Sequence, residues 1–274
     1  MRPSDEPKIY LLPNLMTAGN LFCGFAATLK IIEGALLQAA AQSAIAPFYQ
    51  AIWLILAACV FDLLDGRLAR LGGHESSFGR EFDSIADIVS FGVAPALLLF
   101  TIVLRGFDRA GWLIAFLYLI CGALRLARFN CLAAAQEAGA STDFRGLPIP
   151  AAAGVIVSIT MFIMWGEESP RDIGAWRFLL PPLMILVSVL MFSRIAYPSF
   201  KAIGWRTTRS VPAFILIIFI VFFTVTNLEW MPALLFLGYM LYGPIRPFIN
   251  RRMRLRLEGG LESHAVSPKP TDEA

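Results

Sequence analysis

Residues 48–70 read FYQAIWLILAACVFDLLDGRLAR. An apolar run opens this stretch, and two aspartates, Asp62 and Asp65, follow in its last third. The hydrocarbon core of a bilayer is about 30 Å thick, so about 20 helical residues are needed to cross it. The stretch has that length, and it therefore predicts a membrane-spanning helix that carries acidic side chains near one end.

The rest of the chain is similarly apolar. Of its 274 residues, 57% are hydrophobic and 16% are charged, and the mean hydropathy is +0.66. These values exclude an ordinary soluble domain and indicate an all-α polytopic membrane protein. Eight runs are long enough to be spans, at about 10–32, 48–70, 83–104, 110–132, 149–165, 177–195, 211–227 and 230–248. Six spans are the alternative, if 211–248 forms a single re-entrant element.

Four segments follow from these runs. Residues 1–9 form a polar lead-in, 10–209 hold the first six spans, 210–250 hold two additional spans, and 251–274 form a basic and then disordered tail. Gly34 is expected to end the first helix, because glycine often terminates helices.

Lysines and arginines are distributed unevenly between the two sides of the membrane. If the spans alternate in direction, 18 of the 23 basic residues lie on the side of the N-terminus. The five on the opposite side are Lys30, Arg105, Arg109, Arg171 and Arg177. Because basic residues are enriched on the cytoplasmic side, both termini are predicted to be cytoplasmic, in a bacterial inner (cell) membrane. This asymmetry requires an even number of spans.

A second pair of acids lies at the start of the third run. Asp83 and Asp87 are four residues apart and Asp62 and Asp65 three apart, so each pair projects from one face of its helix. The two faces meet across a short loop and form a cage of carboxylate oxygens. Such a cage suits one or two divalent cations, Mg²⁺ or Mn²⁺. Acids at the positive end of a helix dipole are the alternative, which fits Asp83 but not Asp62.

Three residues beside these acids are candidates for binding an anionic ligand. Gly66 leaves a gap on the helix surface through which a base or a phosphate can reach the backbone. Arg70 lies where it can pair with an anionic group, and Ser76 follows the break at Gly72 and Gly73. The structural alternatives are helix packing for Gly66, membrane anchoring for Arg70 and N-capping for Ser76.

Eight residues of this region match a known pattern. The pattern reads D, two residues, DG, two residues, AR, eight residues, G, three residues, D, three residues, D. The matching residues are Asp62, Asp65, Gly66, Ala69, Arg70, Gly79, Asp83 and Asp87. The chain thus resembles the CDP-alcohol phosphatidyltransferase family, whose signature this is, and it departs from that signature at no position.

The resemblance implies a six-helix catalytic core over residues 10–209. It also implies a site for two divalent ions, Mg²⁺ or Mn²⁺, in which Asp62, Asp65 and Asp83 are ligands. Asp87 would be both a ligand and the general base.

The same resemblance assigns contacts to the donor, CDP-diacylglycerol. Gly66, Arg70 and Ser76 would contact the donor. Pro13, Asn14, Thr17 and Asn20 lie in a run similar to the start of these enzymes, and Asn14 and Thr17 are candidates for contacting the nucleotide. Hydrogen bonding between helices is the alternative for these two.

Three further stretches resemble the membrane-integral phosphatidylserine synthases of this family. They are Ala123–Asn130 (ALRLARFN), Phe144–Pro150 (FRGLPIP) and Tyr197–Lys201 (YPSFK). The resemblance implies that L-serine attacks CDP-diacylglycerol directly, giving phosphatidylserine and CMP. Serine brings a carboxylate, which an arginine side chain can bind through two parallel hydrogen bonds. The candidates for binding serine or phosphate are Arg125, Arg128, Asn130 and Arg145.

Alternatives remain for the arginines and for the function. Each arginine could instead anchor a helix end on the cytoplasmic side. The acceptor could be that of another family member, which forms phosphatidylglycerophosphate, phosphatidylcholine or cardiolipin. A more remote alternative is an acid-coupled transporter, although the acids lie at one boundary of the membrane rather than at its middle. Membrane lipids are expected partners and nucleic acid is not, and the sequence leaves a homodimer open.

Overall fold

The protein is helical throughout its described length, apart from one short pair of strands. The computed structural model describes residues 11–71, 77–135, 144–166, 177–197, 219 and 222–246. The helices are α1 (Leu11–Ala39), α2 (Ile45–Leu71), α3 (Ser77–Asp87), α4 (Ala94–Ile102), α5 (Asp108–Ala135), α6 (Ile149–Gly166), α7 (Leu180–Phe192) and α8 (231–246). A π-helix, Ile88–Val93, joins α3 to α4, and a 3-10 helix, Leu104–Phe107, precedes α5. The strands are β1 (Phe144–Arg145) and β2 (Ala196–Tyr197).

Five stretches of the described chain are long and apolar enough to cross a membrane. They are Leu11–Ala39, Ile45–Leu68, Phe78–Ile102, Leu104–Leu132 and Ile149–Gly166. These stretches coincide with the first five predicted runs, so the prediction of an all-α polytopic membrane protein is confirmed. The sixth run contains the 13-residue α7 and the eighth contains α8, whereas most of the seventh lies outside the described residues. The count of eight spans therefore remains a prediction.

Glycines allow α1 to pack closely against its neighbours. A Cβ atom added at Gly19 would lie 2.9 Å from the ring of Phe61, and one added at Gly34 would lie 2.5 Å from the ring of Phe48. Small residues let membrane helices approach in this way. The prediction that Gly34 ends the first helix is wrong, because α1 continues to Ala39 and uses Gly34 as a contact surface for α2.

The third span changes its winding immediately after Asp87. Within the π-helix the backbone N–H of Ala94 donates to the carbonyl of Val89, five residues earlier. Pro95 has no N–H for the carbonyl of Phe91, four residues before it, and this buried carbonyl accepts a hydrogen bond from the hydroxyl of Tyr118 (2.8 Å). π-Helical turns are rare and are frequent at functional sites. The wide turn and the tyrosine of α5 together fix the position at which Asp87 ends α3.

Two of the stretches noted in the sequence meet as a small antiparallel ladder. Phe144 pairs with Tyr197, and Arg145 pairs with Ala196. Gly146 follows with φ +89° and donates its N–H to the carbonyl of Ile195 (2.8 Å). A positive φ favours glycine at this turn. The ladder joins the chain entering α6 to the chain leaving α7, and the sequence analysis did not predict it.

Helix α8 packs against α6 and β2. A Cβ atom added at Gly154 of α6 would lie 2.2 Å from the ring of Phe236, and one added at Gly243 of α8 would lie 2.3 Å from the ring of Tyr197. The hydroxyl of Tyr197 donates a hydrogen bond to the carbonyl of Met240 (3.1 Å). These contacts attach α8 to the helical core.

Candidate active site

Three carboxylates converge where α2 and α3 face each other. One oxygen from each of Asp62, Asp83 and Asp87 lies within 4.8 Å of the other two. Asp62 comes from the last third of α2, and Asp83 and Asp87 lie one turn apart at the end of α3. Asp87 is only 5% exposed, whereas the other two are half-buried.

Asp65, the fourth predicted member of the cage, points to a different neighbour. It lies close enough to Asp62 and Asp83 to interact with their charges, but it is not one of the three mutually close carboxylates. Its Oδ2 atom accepts a hydrogen bond from the hydroxyl of Thr17 (3.1 Å), on α1. The described chain thus brings three of the predicted aspartates together and places the fourth beside them, against α1.

Asn20 of α1 is a site residue that the sequence analysis did not select. Its Nδ2 atom donates a hydrogen bond to Oδ1 of Asp87 (3.1 Å), and the side chain is completely buried. The carbonyl of Asn20 accepts a hydrogen bond from the hydroxyl of Ser90 (2.9 Å), in the π-helix. Asn20 lies three residues after Thr17, so both side chains project from one face of α1 towards the acids. That spacing was the available signal.

The donor atoms of this site fit a hard divalent cation. Three carboxylates offer only oxygen ligands, which Mg²⁺ and Mn²⁺ prefer. Three negative charges this close, one of them almost fully buried, repel one another unless a positive charge lies among them. The residues present therefore fit the expected metal, and Asp62, Asp83 and Asp87 are the side chains positioned to hold it.

Four of the five predicted donor contacts, Asn14, Thr17, Gly66 and Arg70, belong to α1 and α2. A Cβ atom added at Gly66 would meet no atom of the described structure within 4 Å, so this surface of α2 is open. The side-chain nitrogen of Asn14 is buried and has no hydrogen-bond partner within the described ranges. Arg70 belongs to α2, but its side chain and the whole of Ser76 lie outside the described residues.

Arg125 lies beside the acids from the direction of α5. It is only 8% exposed, and its Nε atom has no hydrogen-bond partner in the part of the chain that the structure covers. It lies close enough to Asp87 and Asp62 for their charges to act on it. A buried guanidinium is strongly disfavoured without paired acceptors, so the unpartnered Nε atom is a donor that an anionic ligand can satisfy.

The other predicted acceptor residues are placed differently. Asn130 donates a hydrogen bond from Nδ2 to the hydroxyl of Ser84 (2.9 Å) and thus faces α3. Arg128 is half-buried on α5. Arg145 belongs to β1, and its side chain is outside the described residues.

Comparison with known proteins agrees with this geometry. Residues 10–191 match the model of the CDP-alcohol phosphatidyltransferase family. The chain belongs to this family of membrane-embedded transferases.

Several relatives have more specific names. A CDP-diacylglycerol–serine O-phosphatidyltransferase of Helicobacter pylori is 37% identical over 240 residues, which cover 87% of this chain and 91% of the relative. The archaetidylserine synthase of Methanothermobacter thermautotrophicus is 37% identical over 198 residues, covering 72% and 73%. A CDP-diacylglycerol–serine O-phosphatidyltransferase of Methanocaldococcus jannaschii is 41% identical over 149 residues, covering 54% and 63%.

Proposed function

We propose that this enzyme transfers the phosphatidyl group of CDP-diacylglycerol to the hydroxyl of L-serine, giving phosphatidylserine and CMP. The observation that carries the proposal is the group of Asp62, Asp83 and Asp87, with the buried Arg125 beside it. Acids of this kind suit a diphosphate donor bound with divalent metal, and the arginine suits an acceptor or donor anion. The names of the Helicobacter and Methanothermobacter relatives support serine as the acceptor.

Asp62, Asp83 and Asp87 would hold the divalent metal, Mg²⁺ or Mn²⁺, with Asp65 adjoining them. When bound, the metal supplies positive charge that neutralises the diphosphate and lowers the cost of forming CMP. Asp65 and Thr17 form a hydrogen-bonded pair that holds α1 against this end of α2. We expect each of the four aspartates to be required for turnover.

Asp87 is the proposed general base. The serine hydroxyl oxygen forms a bond to the β-phosphorus of CDP-diacylglycerol, while the bond from that phosphorus to the bridging oxygen breaks and CMP leaves. The hydroxyl proton passes to the Asp87 carboxylate. Asn20 restrains this carboxylate through Oδ1, so the base keeps one orientation as the acceptor approaches. No covalent enzyme intermediate is required.

The donor would lie against the open surface of α2. Gly66 leaves the backbone accessible there, and the buried amide nitrogen of Asn14 offers a donor to the nucleotide or its phosphates. Arg70 and Ser76 are proposed donor contacts on the basis of the family signature.

The site is proposed to face the cytoplasm, with both termini on the same side. The distribution of basic residues supports this orientation. A bacterial relative supports a location in the cell membrane.

One assay tests the reaction. Purified protein in detergent is incubated with CDP-diacylglycerol, Mg²⁺ or Mn²⁺, and one acceptor at a time, and CMP release is measured. We expect release with L-serine and little with glycerol 3-phosphate, choline or phosphatidylglycerol. Release with glycerol 3-phosphate but not with serine would replace phosphatidylserine synthesis by another reaction of the same family. Absence of CMP release with every acceptor would refute the transferase assignment itself.

A further inference from the structure

A groove of about 560 Å³ lies between α7 and the start of α5. The residues that line it are all apolar, and they include Phe107, Ile114, Pro181, Ile185 and Val189. Ile185 and Val189 are exposed, so the groove is open along its length. Ile114 precedes Arg125 by 11 residues, which is about 16 Å of helix. The groove therefore lies at the other end of α5 from the candidate active site.

Tryptophans mark the level of the membrane at which the groove begins. Trp112, five residues after Phe107, is 70% exposed, and Trp165, near the end of α6, is 56% exposed. Exposed tryptophans of membrane helices are enriched at the boundary between hydrocarbon and headgroups. From Phe178, just before α7, the groove continues along that helix to Val189. It thus begins at headgroup level and extends into the hydrocarbon region, as the acyl chain of a lipid does.

Positive charge surrounds the mouth of the groove. The guanidinium of Arg177 lies over the ring of Phe178, 4.8 Å from its centroid, and this ring contacts the ring of Phe107 edge-on. Arg105 and Arg109 lie two residues before and two residues after Phe107, and both are exposed. Within the described chain none of these arginines forms a salt bridge. A cation–π contact leaves guanidinium N–H groups available to phosphate oxygens.

The concentration of arginines here is unusual for this side of the membrane. Of the five basic residues predicted on the side opposite the N-terminus, three are Arg105, Arg109 and Arg177, and only one acid, Asp108, lies between them in the described chain. This net positive charge favours an anionic partner. A second copy of the chain fits less well, because a twofold contact within a membrane brings the same arginines together at one level, where like charges repel.

We propose that this groove binds one anionic phospholipid of the adjacent leaflet, with an acyl chain along α7 and the headgroup phosphate at Arg177, Arg105 and Arg109. The apolar walls disfavour a polar ligand inside the groove. The chain supplies contacts to walls that an empty groove would leave without partner atoms. The arginines favour a headgroup whose phosphate charge is not balanced by an ammonium group. The site is separate from the proposed reaction, because it uses no residue of the candidate active site.

Native mass spectrometry of the full chain in detergent measures this binding. The probes are phosphatidylglycerol and phosphatidylcholine with the same acyl chains, and EDTA is present so that no metal supports a reaction at the candidate active site. The wild type should retain one phosphatidylglycerol molecule. It should bind this lipid at least about fivefold more tightly than phosphatidylcholine, because one arginine near an anionic lipid contributes about that factor.

Two variants separate the acyl chain from the headgroup. Leu186→Trp places a larger ring at a position that lines the groove and should weaken the binding of both lipids. Arg177→Gln should weaken the binding of phosphatidylglycerol about fivefold and leave that of phosphatidylcholine nearly unchanged. The matched controls are Leu113→Trp, at a position of α5 that is 68% exposed and does not line the groove, and Lys30→Gln, which removes a charge that pairs with Glu33 on α1. Neither control should change lipid binding.

Three results would overturn the proposal. The wild type could retain neither lipid, or both equally well. Arg177→Gln could keep the full preference for phosphatidylglycerol. Leu186→Trp could change the oligomeric state while lipid binding stays the same, which would make the groove a contact between copies of the chain. If Leu186→Trp does not fold, Arg177→Gln against Lys30→Gln still decides, because both replace exposed side chains. Failure of CMP release with L-serine would refute the proposed function and leave this lipid site standing.

Discussion

The hydrogen bond from Asn20 to Asp87 gives the sharpest test of how the candidate base is held. Replacing Asn20 by Leu keeps a side chain of similar shape but removes the donor that lies 3.1 Å from Oδ1 of Asp87. Because both side chains are buried, water does not readily replace this donor. A hydrogen bond to a charged group contributes about 1.5 to 3 kcal/mol, and its loss should lower kcat by about 10- to 150-fold.

The assay for this variant is CMP release at saturating L-serine and CDP-diacylglycerol, with the metal concentration varied. Thr28→Val is the matched control on α1, because among the described residues the Thr28 hydroxyl donates to the carbonyl of Gly24 within its own helix and to no other group. The control should keep nearly full activity. If Asn20→Leu also kept kcat within about twofold of the wild type, Asn20 would not position the base and the reasoning would be wrong.

Three further predictions concern the acids, the glycines and the orientation. Asp62→Asn, Asp65→Asn, Asp83→Asn and Asp87→Asn should each abolish nearly all CMP release while the protein remains inserted and folded, and near-normal turnover in any of them would remove that residue from the site. Gly24→Ala should lower the free energy of unfolding by about 1–3 kcal/mol, because the new Cβ would lie 2.6 Å from the backbone of Ser90. Gly66→Ala should leave the free energy of unfolding unchanged and raise the KM for CDP-diacylglycerol, since its Cβ meets only open space in the described structure. If Gly24→Ala raised this KM and Gly66→Ala destabilised the fold, the packing role of Gly24 and the donor role of Gly66 would both be wrong. In a variant without native cysteines, Arg194→Cys should react with an impermeant thiol reagent from the cytoplasm and Gln42→Cys from the opposite side, and the opposite labelling would refute the proposed orientation.

The sequence was sufficient to predict the acids and the helical class. Helical periodicity places Asp83 and Asp87 on one face of their helix, a short loop brings that face opposite Asp62, and the structure brings the three carboxylates together. Helical periodicity could not show that Asp65 lies outside this group of three carboxylates, because the direction of its side chain depends on a hydrogen bond from Thr17 of another helix.

Other features depend on contacts that a single sequence does not reveal. The helix α1 continues past Gly34, against which Phe48 packs, because glycine in a membrane helix can serve close packing and does not always end the helix. Asn20 was visible only as a polar residue in an apolar run, and its partner is 67 positions away.

The π-helix after Asp87 lets the third span hold one residue more than a regular helix without changing the direction of the candidate acids Asp83 and Asp87. Each residue of an α-helix turns the chain by about 100° and advances it by about 1.5 Å. Deleting one residue between Ile88 and Val93 would let this turn rewind as ordinary α-helix, which hardly shortens the span. Asp83 and Asp87 would keep almost the same direction relative to α4, because the wide turn holds one residue more than the ordinary turn that replaces it. A one-residue gap elsewhere in the third span, where no wide turn takes up the difference, would instead rotate the two aspartates by about 100° relative to the helix beyond the gap, even where every aspartate of the signature is present.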